Sequence, residues 1–157
     1  MNIAKAAVLG AGTMGAGIAA HLSNAGIPTL LLDIAPNELT EAEAAKGLTL
    51  ESPAVRNRIV NSLFDAAKKL KPAPFMLGDN AKLITTGNFT DDLVKLKDCD
   101  FVIEAVVENL EIKHKLFAQV DAHRKPGAVI ASNTSGIPID SIAEPFSADF
   151  KAHFVGI

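Results

Sequence analysis

The chain has 157 residues, 48% of them hydrophobic and 21% charged, with 15 basic and 18 acidic side chains and a net charge of -3. That length and balance fit one globular domain with a substantial core, and the acidic balance argues against a nucleic-acid binder, which presents a basic face. One cysteine, Cys99, excludes an internal disulfide and suits a reducing compartment; no apolar run is long enough to span a bilayer, and a cytoplasmic protein is expected.

In chain order, short apolar runs alternate with helical patterns, as in a parallel sheet with crossover helices. Ala6–Leu9 reads as a first strand, continuously apolar as a strand buried on both faces should be. Thr13–Asn24 reads as a helix rich in small residues, closed by Gly26 with Pro28 beyond it. Residues 29–32 form a second strand ending at Asp33, and further strands are expected at 83–86, 101–105, 128–132 and 152–155. Leu110–His123 and residues 138–143 fit helices. The stretch 36–80 interrupts this rhythm and is too long for a plain crossover. It holds acidic residues, a helical segment at 55–70 and a basic end at Lys68, Lys69 and Lys71, with Arg56 and Arg58 further back. It reads as a helical insertion after the second strand, a place where substrate contacts often arise.

The glycine pattern Gly10-Ala11-Gly12-Thr13-Met14-Gly15 follows the first strand and opens the first helix, and Asp33 stands 18 residues after Gly15. In that context the spacing points to a dinucleotide. Gly10 allows the tight turn, Gly12 the close approach of backbone to pyrophosphate, and Gly15 the packing of helix on strand. Free N–H groups at the helix N-terminus attract the phosphates. A carboxylate at Asp33 would accept hydrogen bonds from the adenine ribose and repel a 2′-phosphate, favouring NAD over NADP. A turn serving only packing, or a flavin or S-adenosylmethionine site, is the competing explanation.

Three other groups stand where open α/β sheets bind ligands, at strand carboxyl ends. Glu104 and Glu108 end the 101–105 strand, with Lys113 after them; an ion pair for Glu104 and a helix-terminal charge for Glu108 are equally available. Ser132-Asn133-Thr134-Ser135 could bind a nicotinamide, a substrate carbonyl or an imidazole, or merely cap the next helix. His153 lies in an apolar stretch, where a histidine is more often a core residue than a base. His21, His114 and His123 read as structural or surface residues. Neither metal-ligand spacing nor a nucleophile motif is present, and Cys99, between Asp98 and Asp100, is a poor candidate for a reactive thiol.

Together these stretches resemble the L-3-hydroxyacyl-CoA dehydrogenases of fatty-acid β-oxidation. The resemblance rests on residues 7–19, on Asp33, on Ile103-Glu104-Ala105-Val106-Val107-Glu108-Asn109, on Ala131-Ser132-Asn133-Thr134-Ser135 and on His153-Phe154. It implies a Rossmann-type doubly wound, mostly parallel sheet over residues 1–157. It also implies NAD as cofactor, held by Gly10, Gly12, Thr13, Met14, Gly15 and Asp33, with Glu108, Lys113 and Asn133 on the nicotinamide side. Ser135 would contact substrate and His153 would be the general base; Ser62 and Lys69 would meet coenzyme A. The partners implied are an acyl-CoA substrate and, for the intact enzyme, further copies of itself, with neither nucleic acid nor membrane involved. The family continues His-Phe-Phe-Asn-Pro from its histidine, where this chain has His153-Phe154-Val155-Gly156-Ile157. The resemblance therefore implies the cofactor domain of a larger enzyme, whose helical domain lies outside these residues, and the insertion, with its Pro72-Ala73-Pro74-Phe75 ending, resembles that of the multifunctional members with a fused hydratase. The alternatives are a dehydrogenase of free β-hydroxy acids, which would lack the Glu-Asn and Ser-Asn-Thr-Ser stretches, and a non-catalytic NAD-binding module.

Overall fold

Strand β1 (Ala6–Leu9) has no exposed residue, so it must be covered on both faces and paired on both edges. The computed structural model, which describes residues 2–157, meets both demands. β1 lies between β2 (Thr29–Asp33) and β4 (Phe101–Glu104) in a six-stranded, wholly parallel sheet. With β3 (Ile84–Asn88), β5 (Val129–Ser132) and β6 (Phe154–Gly156) the strand order is β3-β2-β1-β4-β5-β6. This is the doubly wound order, and its direction reverses between β1 and β4, where a crevice opens at the carboxyl ends.

Alternation along the strands sends their side chains into two cores. One joins Ala6 and Val8 to Ala19 and Leu22 of α1 (Thr13–Asn24) and Val60 of α4 (Arg58–Ala67). The other joins Ala7, Leu9 and Val102 to Leu116, Phe117 and Val120 of α6 (Leu110–His123). Beside the second core, α7 (Ile139–Ala143) and α8 (Ala148–Ala152) bring up Ile142 and Phe150. Phe150 stacks on Phe154, and Phe117 meets both edge-on. Such contacts each contribute about 1 kcal/mol beyond area burial, and here they dock α8 and β6 onto α6.

The first strand, the first helix and the Leu110–His123 helix fall where the sequence places them. The expected insertion is more integrated than its composition suggests. Its 55–70 helix is divided at Asn57 into α3 (Pro53–Arg56) and α4. Helix α4 buries Val60 and Ala67 against α1 and the sheet, and so serves as the crossover helix between β2 and β3. The portion standing clear of the core is residues 36–52, with the short α2 (Glu41–Ala45) started by a Thr40–Glu43 capping box. Arg58 is tied to Glu43 at 2.7 Å, and Arg56 makes a two-pronged pair with Asp91 at 2.6 and 2.8 Å. The basic end is thereby reduced to its lysines. Short elements without expectation from the sequence are α2, the 3-10 turn Gly78–Leu83, α5 (Phe89–Asp92) with the 3-10 turn after it, and α8.

Candidate dinucleotide site

At the end of β1 the chain must turn at once into α1. Gly10 sits at φ +102°, and a Cβ there would lie 2.6 Å from the Ala105 carbonyl oxygen. Gly15 has no room either: its Cβ would stand 1.8 Å from the Gly10 oxygen. These two glycines build the turn. Gly12 differs, because a Cβ there would meet nothing within 4 Å. Its role is not packing. It is the N-cap of a 12-residue helix that has neither a side-chain cap nor an acidic residue in its first turn. Thr13 and Met14 are exposed beside it. An anion fits this open, uncapped, partly positive terminus.

Asp33, at the end of β2, is aimed at the same turn. Its Oδ2 accepts from the Ala11 N–H at 2.6 Å and its Oδ1 from the Ile34 N–H at 2.7 Å. The carboxylate is fixed in direction yet half-buried rather than covered, with lone pairs left for a ribose. Gly10, Gly12 and Asp33 line a cavity of about 1090 Å³ whose wall continues through Val106, Ile112 and Gln119. That volume takes a nucleotide, with apolar surface for the adenine and a carboxylate for the sugar.

Across the switch point, Glu108 clasps the loop after β5. It accepts from the Thr134 hydroxyl at 2.8 Å and from the Ser135 N–H at 3.0 Å. These bonds hold its carboxyl below the usual range, the Thr134 bond first, despite some loss of hydration. Asn133 donates its N–H to the Glu104 carbonyl at 2.8 Å. Capping does not explain this Ser-Asn-Thr-Ser stretch, since α7 starts only after Pro138. Glu104 itself forms the ion pair that its position allowed, with Lys113 at 2.7 Å, and both side chains are fully buried. Lys113 therefore faces Glu104 rather than the cavity, and Ser132 completes the buried group with a hydrogen bond to Glu104. Nothing in the local sequence pairs these three; their meeting depends on the β4–β5 register, which sets Glu104 beside Ser132.

His153 is not brought to this edge. Phe154 pairs with Ile130 and Gly156 with Ser132, so in a parallel sheet His153 precedes β6 at the amino-terminal edge. Its Nδ1 is engaged by the Asp149 carbonyl at 2.8 Å. The 152–155 strand expected around it starts two residues later, because Ala148–Ala152 is helical. The level of the glycine loop and of Ser135 is reached by Gly156 and Ile157 instead. Ser62 and Lys69 are exposed on and just beyond α4, outside the cavity wall. Cys99 is buried, which pushes its thiol up to about 11, with Asp98 and Asp100 adding to the rise; it is inert. Among the described residues no cluster has the composition of a metal site, and no helix is long and apolar enough to cross a membrane.

Residues 5–157 match the family model of the 3-hydroxyacyl-CoA dehydrogenase NAD binding domain. The chain belongs to that family. NAD is accordingly its dinucleotide, and the uncapped helix, the open space over Gly12 and the Asp33 carboxylate all fit it. A "Probable 3-hydroxyacyl-CoA dehydrogenase" of Bacillus subtilis is 57% identical over 155 residues, covering 99% of this chain and 20% of that protein. A second, from Deinococcus radiodurans, is 47% identical over 156 residues and covers 99% and 41%. A crystal structure of (S)-3-hydroxybutyryl-CoA dehydrogenase from Ralstonia eutropha superposes with a TM-score of 0.65 at 29% identity, covering 99% of this chain and 48% of that one. The chain thus spans a fifth to a half of the lengths of the proteins it matches.

Proposed function

We propose that this chain is the NAD-holding part of an enzyme that oxidises L-3-hydroxyacyl-CoA to 3-oxoacyl-CoA in fatty-acid β-oxidation. The observation that carries the reading is the pairing of two half-sites on one sheet edge. Gly12 and Asp33 stand on the adenosine side and the Glu108–Thr134–Ser135 clasp on the other. The chemistry supplied by bound NAD is acceptance of a hydride from the substrate carbon. The N–H groups of Thr13 and Met14 hold the pyrophosphate, with Gly10 and Gly15 shaping the turn that presents them. Asp33 takes the ribose hydroxyls and its charge turns away a 2′-phosphate. Glu108 and Asn133 orient the nicotinamide end, and the Ser135 hydroxyl offers a contact to the substrate oxygen.

No proton transfer is assigned to His153. Its place on the amino-terminal edge keeps it from any group reacting at the carboxyl ends. Ser62 and Lys69, with Lys71 beyond, are exposed and suit the phosphates of coenzyme A. We place the protein in the cytoplasm, where a buried, unreactive thiol at Cys99 persists, and expect the intact enzyme to be a homo-oligomer.

Calorimetric titration tests the reading. NADH should bind saturably below millimolar concentration, and a 3-hydroxyacyl-CoA should bind the NAD complex about tenfold or more tightly than the free 3-hydroxy acid. Absence of NADH binding would overturn the cofactor assignment. Equal affinity for thioester and free acid would favour a dehydrogenase of free hydroxy acids instead.

A further inference from the structure

Glu104 and Lys113 are the most costly side chains in the fold to bury, and the role proposed so far does not require them. Both carboxylate oxygens of Glu104 accept from Lys113 Nζ, at 2.7 and 2.8 Å. Oε1 accepts also from the Val106 N–H at 2.7 Å, and Oε2 from the Ser132 hydroxyl. Removing two such charges from water costs several kcal/mol per ion before their attraction is counted, and apolar residues of the same volume often stabilise a core as well or better. Cohesion alone does not account for the pair.

What the pair does is dispose of a charge. Lys113 Nζ also lies 3.6 Å from Glu108 Oε2, an ion pair longer than its two contacts with Glu104, while Glu108 remains 43% exposed. The group therefore contains two carboxylates that share one ammonium, which lies nearer the buried one. One negative charge is left at the surface, held in place by Thr134 and Ser135. In a doubly wound sheet the two nucleotide halves lie on opposite sides of the switch point. Asp33 occupies the adenosine side, so the nicotinamide falls on the side of Glu108.

We propose that Glu104 is a positioning residue: by binding Lys113 with both oxygens it offsets that ammonium, so that the group of three keeps a net negative charge at Glu108. That net negative charge then faces the nicotinamide end and favours the cationic, oxidised ring over the neutral, reduced one. This rests on the NAD-holding role given above. The hydrogen bonds that hold the Glu108 carboxyl below its usual range also keep it ionised at neutral pH. The network thus sets the balance between NAD+ and NADH on the protein.

The test compares dissociation constants of NAD+ and NADH by calorimetry, with circular dichroism as a check on folding. Glu104→Gln, which leaves Lys113 to cancel the charge of Glu108, should weaken NAD+ relative to NADH by about fivefold or more, a normal size for coupling between charged sites. Glu108→Gln should reproduce that loss. Glu104→Gln combined with Lys113→Met removes both buried charges and should bring the ratio back to within about twofold of the unaltered chain. A merely structural role predicts no such rescue. The proposal is overturned by an unchanged ratio in Glu104→Gln, or by a loss that persists in the double variant. Should Glu104→Gln not fold, the double variant and Glu108→Gln decide alone, the first keeping the ratio and the second losing it; any other pattern overturns the proposal. Failure of the unaltered chain to bind either form would overturn the cofactor role and this inference together.

Discussion

The three glycines of one motif carry different duties, and substitution separates them. At Gly15 a methyl group would stand 1.8 Å from the Gly10 oxygen, so helix and strand must move apart. Overpacking of this kind costs about 1–3 kcal/mol, and Gly15→Ala should lower the thermal midpoint by about 3–10 °C for a chain of this size. At Gly12 the same methyl group meets nothing. Gly12→Ala should leave the midpoint of the ligand-free chain unchanged while weakening NADH, because the methyl would occupy the space over the helix terminus. A melting curve and a titration on each variant check the pair, and equal behaviour of the two would refute the division. Asp33 allows a third experiment. Replacing it with Ser removes the charge that excludes a 2′-phosphate, so the NADH-to-NADPH affinity ratio should fall by about tenfold. The sequence carries this half of the site legibly because turn, helix terminus and acid are all local to a β-α-β unit. The other half is less legible. The clasp of Glu108 on Thr134 and Ser135 and the burial of Lys113 depend on contacts across 26 and 9 positions, which no local pattern encodes.

At the scale of elements, the region between β2 and β3 shows what composition conceals. Its charges suggest a basic projection, yet Arg56 and Arg58 are already engaged by Asp91, Glu51 and Glu43. The Arg56–Asp91 pair ties α3 to α5, next to the cavity mouth that Asp91 lines. Its hydrogen bond to Arg56, then that to Asn88, holds the Asp91 carboxyl below the usual carboxylate range. A depressed folded-state pKa contributes stability that is present above the unfolded value, about 3.9, and is lost as pH falls through the folded one. The tie should accordingly persist at neutral pH and release only in strong acid. Asp91→Asn should release it at neutral pH, giving faster protease cleavage within residues 46–57 and leaving the sheet intact. Cleavage no faster than in the unaltered chain would show that α3 is held by Val55 alone. The helix boundary at Asn57, and α5 and α8 themselves, escape a reading by periodicity because four or five residues offer scarcely more than one helical turn.

For the whole molecule, the decisive property is that every strand points the same way. Parallel order gives the sheet one edge where glycine loop, Asp33, Glu108 and Ser135 collect, and an opposite edge where Lys5, Asp100, Lys125 and His153 lie. A histidine followed by phenylalanine resembles the family's base in sequence, but the register of β6 against β5 puts His153 at the wrong end of the strand. The error is one of depth along a strand, invisible until Phe154 is paired with Ile130. His153→Ala should therefore leave NADH affinity within about twofold of the unaltered chain and perturb only the Asp149 contact. Asp33→Ser, at the other edge, should alter cofactor choice without disturbing that contact. Ligand binding should also reach the whole fold through the functional edge. A ligand present at a hundred times its dissociation constant stabilises by about 2.7 kcal/mol, a rise of about 5–11 °C in the midpoint for this length. NADH should produce that rise equally in the unaltered chain and in His153→Ala. NADPH at the same concentration should produce much less, because its 2′-phosphate meets Asp33. A His153→Ala chain that melts normally but no longer responds to NADH would show that the two edges communicate, and would return His153 to the site.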